Sequence, residues 1–369
     1  MSTGTPTSGR RPPARIPSLD GLRALSITAV LGTHLLGTRN YPASLPGGLN
    51  LAELGVRVFF VISGYLISTL LFADQQRIAA GRLTRRKALT AFYIRRIYRL
   101  FPAAYVFVGV IALLAAAGVI SLRAGDLLAA ATYTMNYHAA RSWWVGHLWS
   151  LSVEEQFYFL WPAIVFFAGI RRARWFAAAA LLIAPLARIG FFLGTPSLRP
   201  LVGEIFPTIF DAIAAGCVLA SLRGWLGQQP AYLRFLQSPL FWAVPVAIIG
   251  ANVMGPHPRI DLTVGQSIQN IGIALLIDRS IRFPEGAWGR LLNTRPMVFV
   301  GVLSYSLYLW QQPFLNRHSD AWLAAFPINV ACAAVLAVAS YYLVEQPFLR
   351  LRARRTEKNA SATSPTPPP

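Results

Sequence analysis

Two residues in one apolar run are placed to do chemistry together: Arg23 and His34 in SLDGLRALSITAVLGTH. Eleven positions at about 100° each return within about 20° of the starting direction, with a rise of about 16 Å. A helix here puts a guanidinium and an imidazole on one stripe, the first near one membrane surface and the second about halfway across or beyond. Ionisable side chains at that depth cost about 2.5 kcal/mol or more and need a partner or a task. An imidazole titrates near neutral pH, so His34 can take the proton of a hydroxyl that attacks an acyl carbon. A buried interhelical histidine with Arg23 as a headgroup anchor satisfies the same pattern, and residue types alone leave both readings open.

A second constellation lies in HLWSLSVEEQFYFLWP. His147 and Glu154, seven apart, share a helical face, so Glu154 is placed to orient a catalytic imidazole while Glu155 points elsewhere, toward an arginine. A buried ion pair holding helices together is the competing account. In RLTRRKALTAFYIRRIYRLFP, Arg96 and Arg99 are three apart with Arg95 beside them. Planar guanidinium groups suit the pyrophosphate and 3′-phosphate of coenzyme A, and equally suit an interfacial helix on anionic lipid. Ser63 and Gly64 in FFVISGYLI offer a small hydroxyl and a close-approach residue, a pair that also serves plain helix packing. Glu53 and Arg57, four apart, are expected to pair.

The elements that carry these residues are membrane helices. Of 369 residues, 55% are hydrophobic and 13% charged, against about a quarter charged in a soluble protein. Apolar runs recur at roughly 19–37, 51–72, 100–121, 146–169, 175–194, 202–222, 238–255, 262–281, 296–315 and 321–349, long enough in the main to cross a bilayer. The fold class expected is all-α, a polytopic membrane protein of about ten transmembrane helices with both termini cytoplasmic. The less hydrophobic stretch 123–145 is read as external or partly re-entrant. The net charge of +20 is almost wholly arginine, Lys87 and Lys358 being the only lysines. With ten spans, the arginine-rich connections at 77–99, 171–174 and 279–295 and both tails fall on the cytoplasmic side, as the positive-inside rule demands. An eleventh span destroys that asymmetry. Residues 1–18 and 351–369 read as disordered cytoplasmic tails around a membrane domain at 19–350. The first apolar run, interrupted by Arg23 and His34, reads as a retained helix rather than a secretory signal. No basic domain or groove-reading motif points to nucleic acid. Cys217 and Cys332 form no metal or disulfide pattern, and His34, His138, His147, His257 and His318 show no metal-ligand spacing. No metal and no bound cofactor are expected.

Taken together, these segments resemble the acyltransferase 3 family of membrane-bound acyltransferases, which modify bacterial envelope sugars and some secreted metabolites. SLDGLRALSITAVLGTH is similar to the family's opening motif, with Arg23 and His34 as its basic residue and histidine. FFVISGYLI resembles the second-helix signature, and FYIRRIYRLFPA the RxxR signature, on Arg96 and Arg99. HLWSLSVEEQFYFLWP resembles the WSLxxE block, with Glu154 as its acid. SYSLYLWQQPF and SYYLVEQPFLR resemble the last two helices. The resemblance runs from about residue 15 to residue 352. It implies an acyl-CoA co-substrate, often acetyl-CoA, and a sugar or similar hydroxyl as acceptor, in the bacterial inner membrane. His34 is then the general base or acyl relay, supported by Glu154, with Arg23, Arg96, Arg99 and Ser63 on the donor side. Many relatives carry histidine where this chain has Gln311, so that position is expected to hydrogen-bond substrate rather than move a proton. Some relatives also carry a C-terminal hydrolase domain that completes transfer. This sequence ends in a short tail, so the reaction is expected to finish in the membrane domain or to pass the acyl group to an envelope-assembly partner. The rival class is a transporter or flippase with a His/Glu proton relay, for which related halves are expected and not found. A non-enzymatic scaffold is the third reading.

Overall fold

The computed structural model describes residues 16–42 and 49–361. Among them every regular element is a helix, without a strand. The first three helices are α1 (Pro17–Leu35), α2 (Leu51–Ala79) and α3 (Arg85–Ala116), followed by the short α4 (Asp126–Ala131) and α5 (Trp143–Gly146). Then come α6 (Leu148–Ala163), α7 (Gly169–Gly194), α8 (Phe206–Leu226), α9 (Pro230–Gln237), α10 (Ala243–Val253) and α11 (Pro258–Ile260). The last are α12 (Gln266–Arg282), α13 (Ala287–Leu292), α14 (Arg295–Gln311), α15 (Ile328–Ser340) and α16 (Gln346–Ser361). Three π-helical segments, Ile164–Ala168, Asp261–Gly265 and Tyr341–Glu345, link consecutive helices.

Local chemistry accounts for several boundaries. Asn50 caps α2 by accepting the Glu53 backbone N–H, and Thr84 caps α3 through the Lys87 N–H, each satisfying a donor that the first turn leaves open. The stretch expected to be external or re-entrant, 123–145, holds only α4, a 3-10 turn at Met135–Tyr137 and the start of α5.

The principal packing pairs are α2 with α8, α1 with α14, α7 with α8 and α1 with α2. With only dispersion to drive association inside a bilayer, close backbone approach requires small residues. A Cβ added at Gly64 falls 1.9 Å from the Ile213 carbonyl oxygen of α8, and one at Gly301 falls 1.8 Å from the Asp20 oxygen of α1. The packing account of Gly64 is therefore the one observed, whereas its neighbour Ser63 turns to a polar partner. Glu53 and Arg57 pair as expected, at 2.7 Å.

Ten spans were expected. Six helical segments are long and apolar enough to cross a membrane, or seven if the bent pair Pro230–Gln237 and Pro239–Val253 counts as one span. The difference has physical causes. Two expected spans merge into one helical run, Trp143–Gly194, of 52 residues. At 1.5 Å per residue it extends about 78 Å, against about 30 Å of hydrocarbon, and Gly169 interrupts it with φ 81° and ψ 165°. The polarity of Asp20, Arg23 and His34 keeps α1 below the hydropathy needed, and α14 has 17 residues. Helix also continues through Ser361, into the segment from 351 expected to be disordered. At the other end α1 begins at Pro17, inside the segment to residue 18 expected to be disordered, and residues 1–15 and 362–369 of the expected tails lie outside the described residues.

Candidate active site

Two polar centres line the interior, and α1 contributes to both. The first lies at the end of α1. His34 stands in its last turn and Gln311 ends α14. These helices run parallel: Ser18, at the start of α1, donates to Asn293 just ahead of α14 at 2.9 Å, and their far ends meet where His34 Nδ1 lies 2.8 Å from Gln311 Oε1. His34 is thus at a helix terminus.

The direction of that hydrogen bond follows from its neighbours. Gln312 donates its amide to the Trp143 backbone carbonyl at 2.9 Å, and Gln311 donates to Gln312 Oε1 at 2.9 Å. A backbone carbonyl only accepts, so both amides are oriented, and Gln311 offers an oxygen to His34. The proton of the neutral imidazole therefore sits on Nδ1, and Nε2 keeps its lone pair. Among the described residues no hydrogen bond occupies that Nε2. Trp143 fastens the relay a second time, its indole N–H donating to the Gln312 carbonyl at 2.8 Å, and its ring meets His34 edge-on at 5.6 Å.

His34 opens on a cavity of about 610 Å³. The cavity draws on more of the chain than the first four apolar runs. Besides α1, α2 and the start of α6, its wall takes in Gly203 and Glu204 of the α7–α8 connection, Asp261 and Gln266 around the second π segment, and Gln312 and His318. His147, in the joint between α5 and α6, is 5% exposed on this wall. The Leu309 backbone approaches its ring, but neither ring nitrogen is aligned for a hydrogen bond. Tyr308 donates to the His147 carbonyl at 2.8 Å and shares a hydrogen bond with Ser150 at 2.6 Å.

The second centre lies farther along α6, toward the start of α1. Ser63 donates to Glu154 Oε1 at 2.6 Å, and the Tyr158 hydroxyl donates to Ser63 at 3.2 Å. The Arg96 guanidinium lies over the Tyr158 ring, 4.9 Å from its centre. Arg23 reaches Asp20 at 3.2 Å, its charge acts on that of Arg99, and both Arg23 and Arg96 act on Glu154. Buried Arg96 Nε has no hydrogen-bond partner among the described residues, and Arg99 is exposed. Carboxylates stand among these guanidinium groups: Asp20 is bonded to Arg23, and the charges of Glu154 and Glu155 act on Arg96.

Five of the seven residues singled out in the sequence (Arg23, Ser63, Arg96, Arg99 and Glu154) therefore converge on one centre, and His34 and Gln311 on the other. The expected support of His34 by Glu154 is replaced by Gln311. Glu154 comes seven residues after His147, about 10 Å farther along α6, and there it faces Ser63 of α2. Gln311, expected to hydrogen-bond substrate, has its amide oxygen on His34 and its amide N–H on Gln312. Sequence reasoning missed Trp143 and Gln312 and the cavity residues Arg141, Glu204, Asp261 and Gln266. The two adjacent amides ending an apolar helix were the one visible signal.

An all-helical chain with long apolar segments and ionisable groups turned inward defines a multi-pass membrane protein built around an internal site. The chain belongs to the acyltransferase 3 family: the family's model, an acyltransferase domain, matches residues 16–345. It is 27% identical over 370 residues to the peptidoglycan O-acetyltransferase OatA of Listeria monocytogenes, covering 90% of this chain and 55% of that protein. To the O-acetyltransferase OatA of Staphylococcus aureus it is 29% identical over 374 residues, covering 91% and 57%. To the putative peptidoglycan O-acetyltransferase YrhL of Bacillus subtilis it is 27% identical over 370 residues, covering 90% and 54%. The chain spans little more than half the length of these relatives. No solved structure matches it.

Proposed function

We propose that the chain transfers an acyl group, acetyl in the first instance, from cytoplasmic acyl-CoA to a hydroxyl of a carbohydrate acceptor in the bacterial inner membrane. The observation that carries the reading is the amide relay from the Trp143 carbonyl through Gln312 and Gln311 to His34. It leaves Nε2 as a lone pair facing a cavity, which is the state a general base needs. The acceptor hydroxyl gives its proton to Nε2 as its oxygen attacks the thioester carbon. The tetrahedral adduct collapses, the carbon–sulfur bond breaks, and the coenzyme A thiolate leaves and is protonated. The same lone pair serves the relay variant, in which the imidazole is acylated first. Trapping an acyl-protein in the absence of acceptor separates the two routes.

Arg23, Arg96 and Arg99 hold the donor's phosphates, with Ser63, Glu154 and Tyr158 fixing the shape of that end. Arg23 and His34, about 16 Å apart along α1, set the span the donor must bridge. The names of the relatives support peptidoglycan or a similar envelope sugar as the acceptor. The arginine asymmetry supports ten crossings with both termini inside, α1 and α14 included. Purified protein in lipid nanodiscs, given acetyl-CoA and saccharide acceptors, tests the proposal by mass spectrometry. We expect an acetylated product from the wild type and none from His34→Ala of unchanged melting temperature. Wild-type yields from His34→Ala remove the histidine from the mechanism. A saccharide that crosses a sealed membrane with its mass unchanged supports the transporter instead.

A further inference from the structure

We propose that the cavity beyond His34 is the acceptor subsite and that it selects a neutral, polyhydroxyl sugar unit over an anionic one. This inference rests on the acyl-transfer reading and adds the class of acceptor to it. Three sets of observations converge on it.

The first is charge. The wall carries the carboxylates of Glu53, Glu204 and Asp261 and, among the described residues that line it, the single guanidinium of Arg141. Arg141 is bound to Glu204 at 2.6 Å and Glu53 to the buried Arg57 at 2.7 Å. Asp261 accepts an amide N–H from Gln266 at 2.8 Å. With Glu204 and Glu53 each paired to an arginine, Asp261 is the wall carboxylate without a bonded guanidinium among the described residues, so a phosphate or carboxylate entering beside it meets a like charge in a partly enclosed site, whereas hydroxyl groups find acceptors. Arg317 lies over the Trp143 ring, 5.9 Å from its centre, outside the wall, and its charge acts on His34.

The second is unspent hydrogen-bonding capacity. Gln266 is 3% exposed, and its Nε2 is committed to Asp261, which leaves Oε1 buried and without a partner. Both ring nitrogens of His147 are in the same position. Buried polar groups are paired as a rule, so unpaired ones just behind a cavity wall mark where a small side-chain shift would present them to a ligand or its water. The π-helical segment Asp261–Gly265 accounts for the pairing at 261 and 266. Its wider turn brings residues five apart into register, and such insertions concentrate at functional sites.

The third is shape. The indoles of Trp143 and Trp149 stand on the wall, Trp143 beside His34. Flat aromatic faces with negative quadrupoles suit the C–H faces of a sugar ring. About 610 Å³ is within the usual range for a small-ligand pocket, roughly 300–1,000 Å³.

The test uses the full chain in nanodiscs with acetyl-CoA, an N-acetylglucosamine trimer and a galacturonic acid trimer. We expect acetylation of the neutral trimer alone. Gln266→Leu should raise the KM for that trimer at least tenfold with a much smaller change in kcat. Asp261→Asn, which keeps the size of the side chain, should reduce the discrimination between the two trimers. Equal acetylation of both trimers by the wild type overturns the proposal, as does an unchanged acceptor KM in both variants. Melting curves ensure that only folded variants are compared. If the wild type transfers acetyl to neither trimer and releases no thiol in a His34-dependent manner, the acyl-transfer reading itself falls. Normal transfer with the wrong selectivity removes the subsite alone.

Discussion

Replacing Gln311 by leucine removes the acceptor that holds the proton of His34 on Nδ1. The wild-type contact is 2.8 Å long and fully buried on the glutamine side. A buried N–H that loses its partner is penalised by about 1–3 kcal/mol. The imidazole escapes that penalty by moving its proton to Nε2, which puts the donor where the base should be. At 1.4 kcal/mol per factor of ten, the working tautomer falls by about 5- to 150-fold, so kcat is expected to fall ten- to a hundredfold. Gln311→Glu keeps an acceptor toward His34 but loses the N–H that Gln312 Oε1 accepts, so it should lose less activity than the leucine variant without matching wild type. The assay is thiol release from acetyl-CoA in the presence of a saccharide acceptor, with melting temperature measured alongside. Wild-type kcat in Gln311→Leu refutes the tautomer argument. Equal losses in the leucine and glutamate variants, each with a lowered melting temperature, assign Gln311 to packing instead.

On the donor side, Arg96→Ala or Arg99→Ala should raise the KM for acetyl-CoA about ten- to a hundredfold, as expected for a lost charge-assisted phosphate contact. A reading confined to kcat counts against that role. Gly64→Ala places a methyl 1.9 Å from the Ile213 oxygen and should cost about 1–3 kcal/mol or more of stability, seen as a lower melting temperature in detergent. Arg188→Met leaves Asp211, which is 1% exposed and bonded to Arg188 at 2.9 Å, as an uncompensated buried charge. That should cost about 3–5 kcal/mol, and pairing it with Asp211→Leu should recover most of the loss; a double variant no more stable than the single one contradicts this. Cysteines introduced at Arg39 and at Arg85 should react with an impermeant maleimide in intact cells only at position 39, if ten crossings place the termini inside.

The centre around Glu154 was legible because its signals are local. Arg96 and Arg99 are three apart on one helix, Arg96 half-buried and Arg99 exposed, and Ser63 and Glu154 each sit inside a recognisable motif. The cavity wall was not legible in this way. Glu204 belongs to a connection and Asp261 to a π segment, and neither obeys a regular period. Fewer helices are long and apolar enough to cross than the ten expected because polar residues lower the hydropathy of α1 and because 146–169 and 175–194 join into one helical run. Hydropathy measures what a window contains and is blind to whether a polar residue faces lipid or an interior partner.

The sequence by itself determined that the chain is helical, that it is built for a membrane, that Arg23 and His34 share a stripe of one helix, and to which family it belongs. These properties depend on composition and on the period of a single helix. Tertiary structure alone decided which group orients His34. The answer, Gln311, comes from 277 residues away, because α1 and α14 lie parallel and bring their ends together. Glu154, the nearer candidate by motif, is carried about 10 Å along α6 from His147 and bonds Ser63 instead. The tautomer was beyond any reading of residue types, since it depends on a backbone carbonyl at Trp143 that fixes the direction of two amides in series. Hydrogen-bond direction is a property of the assembled network, and only the packed helices contain one.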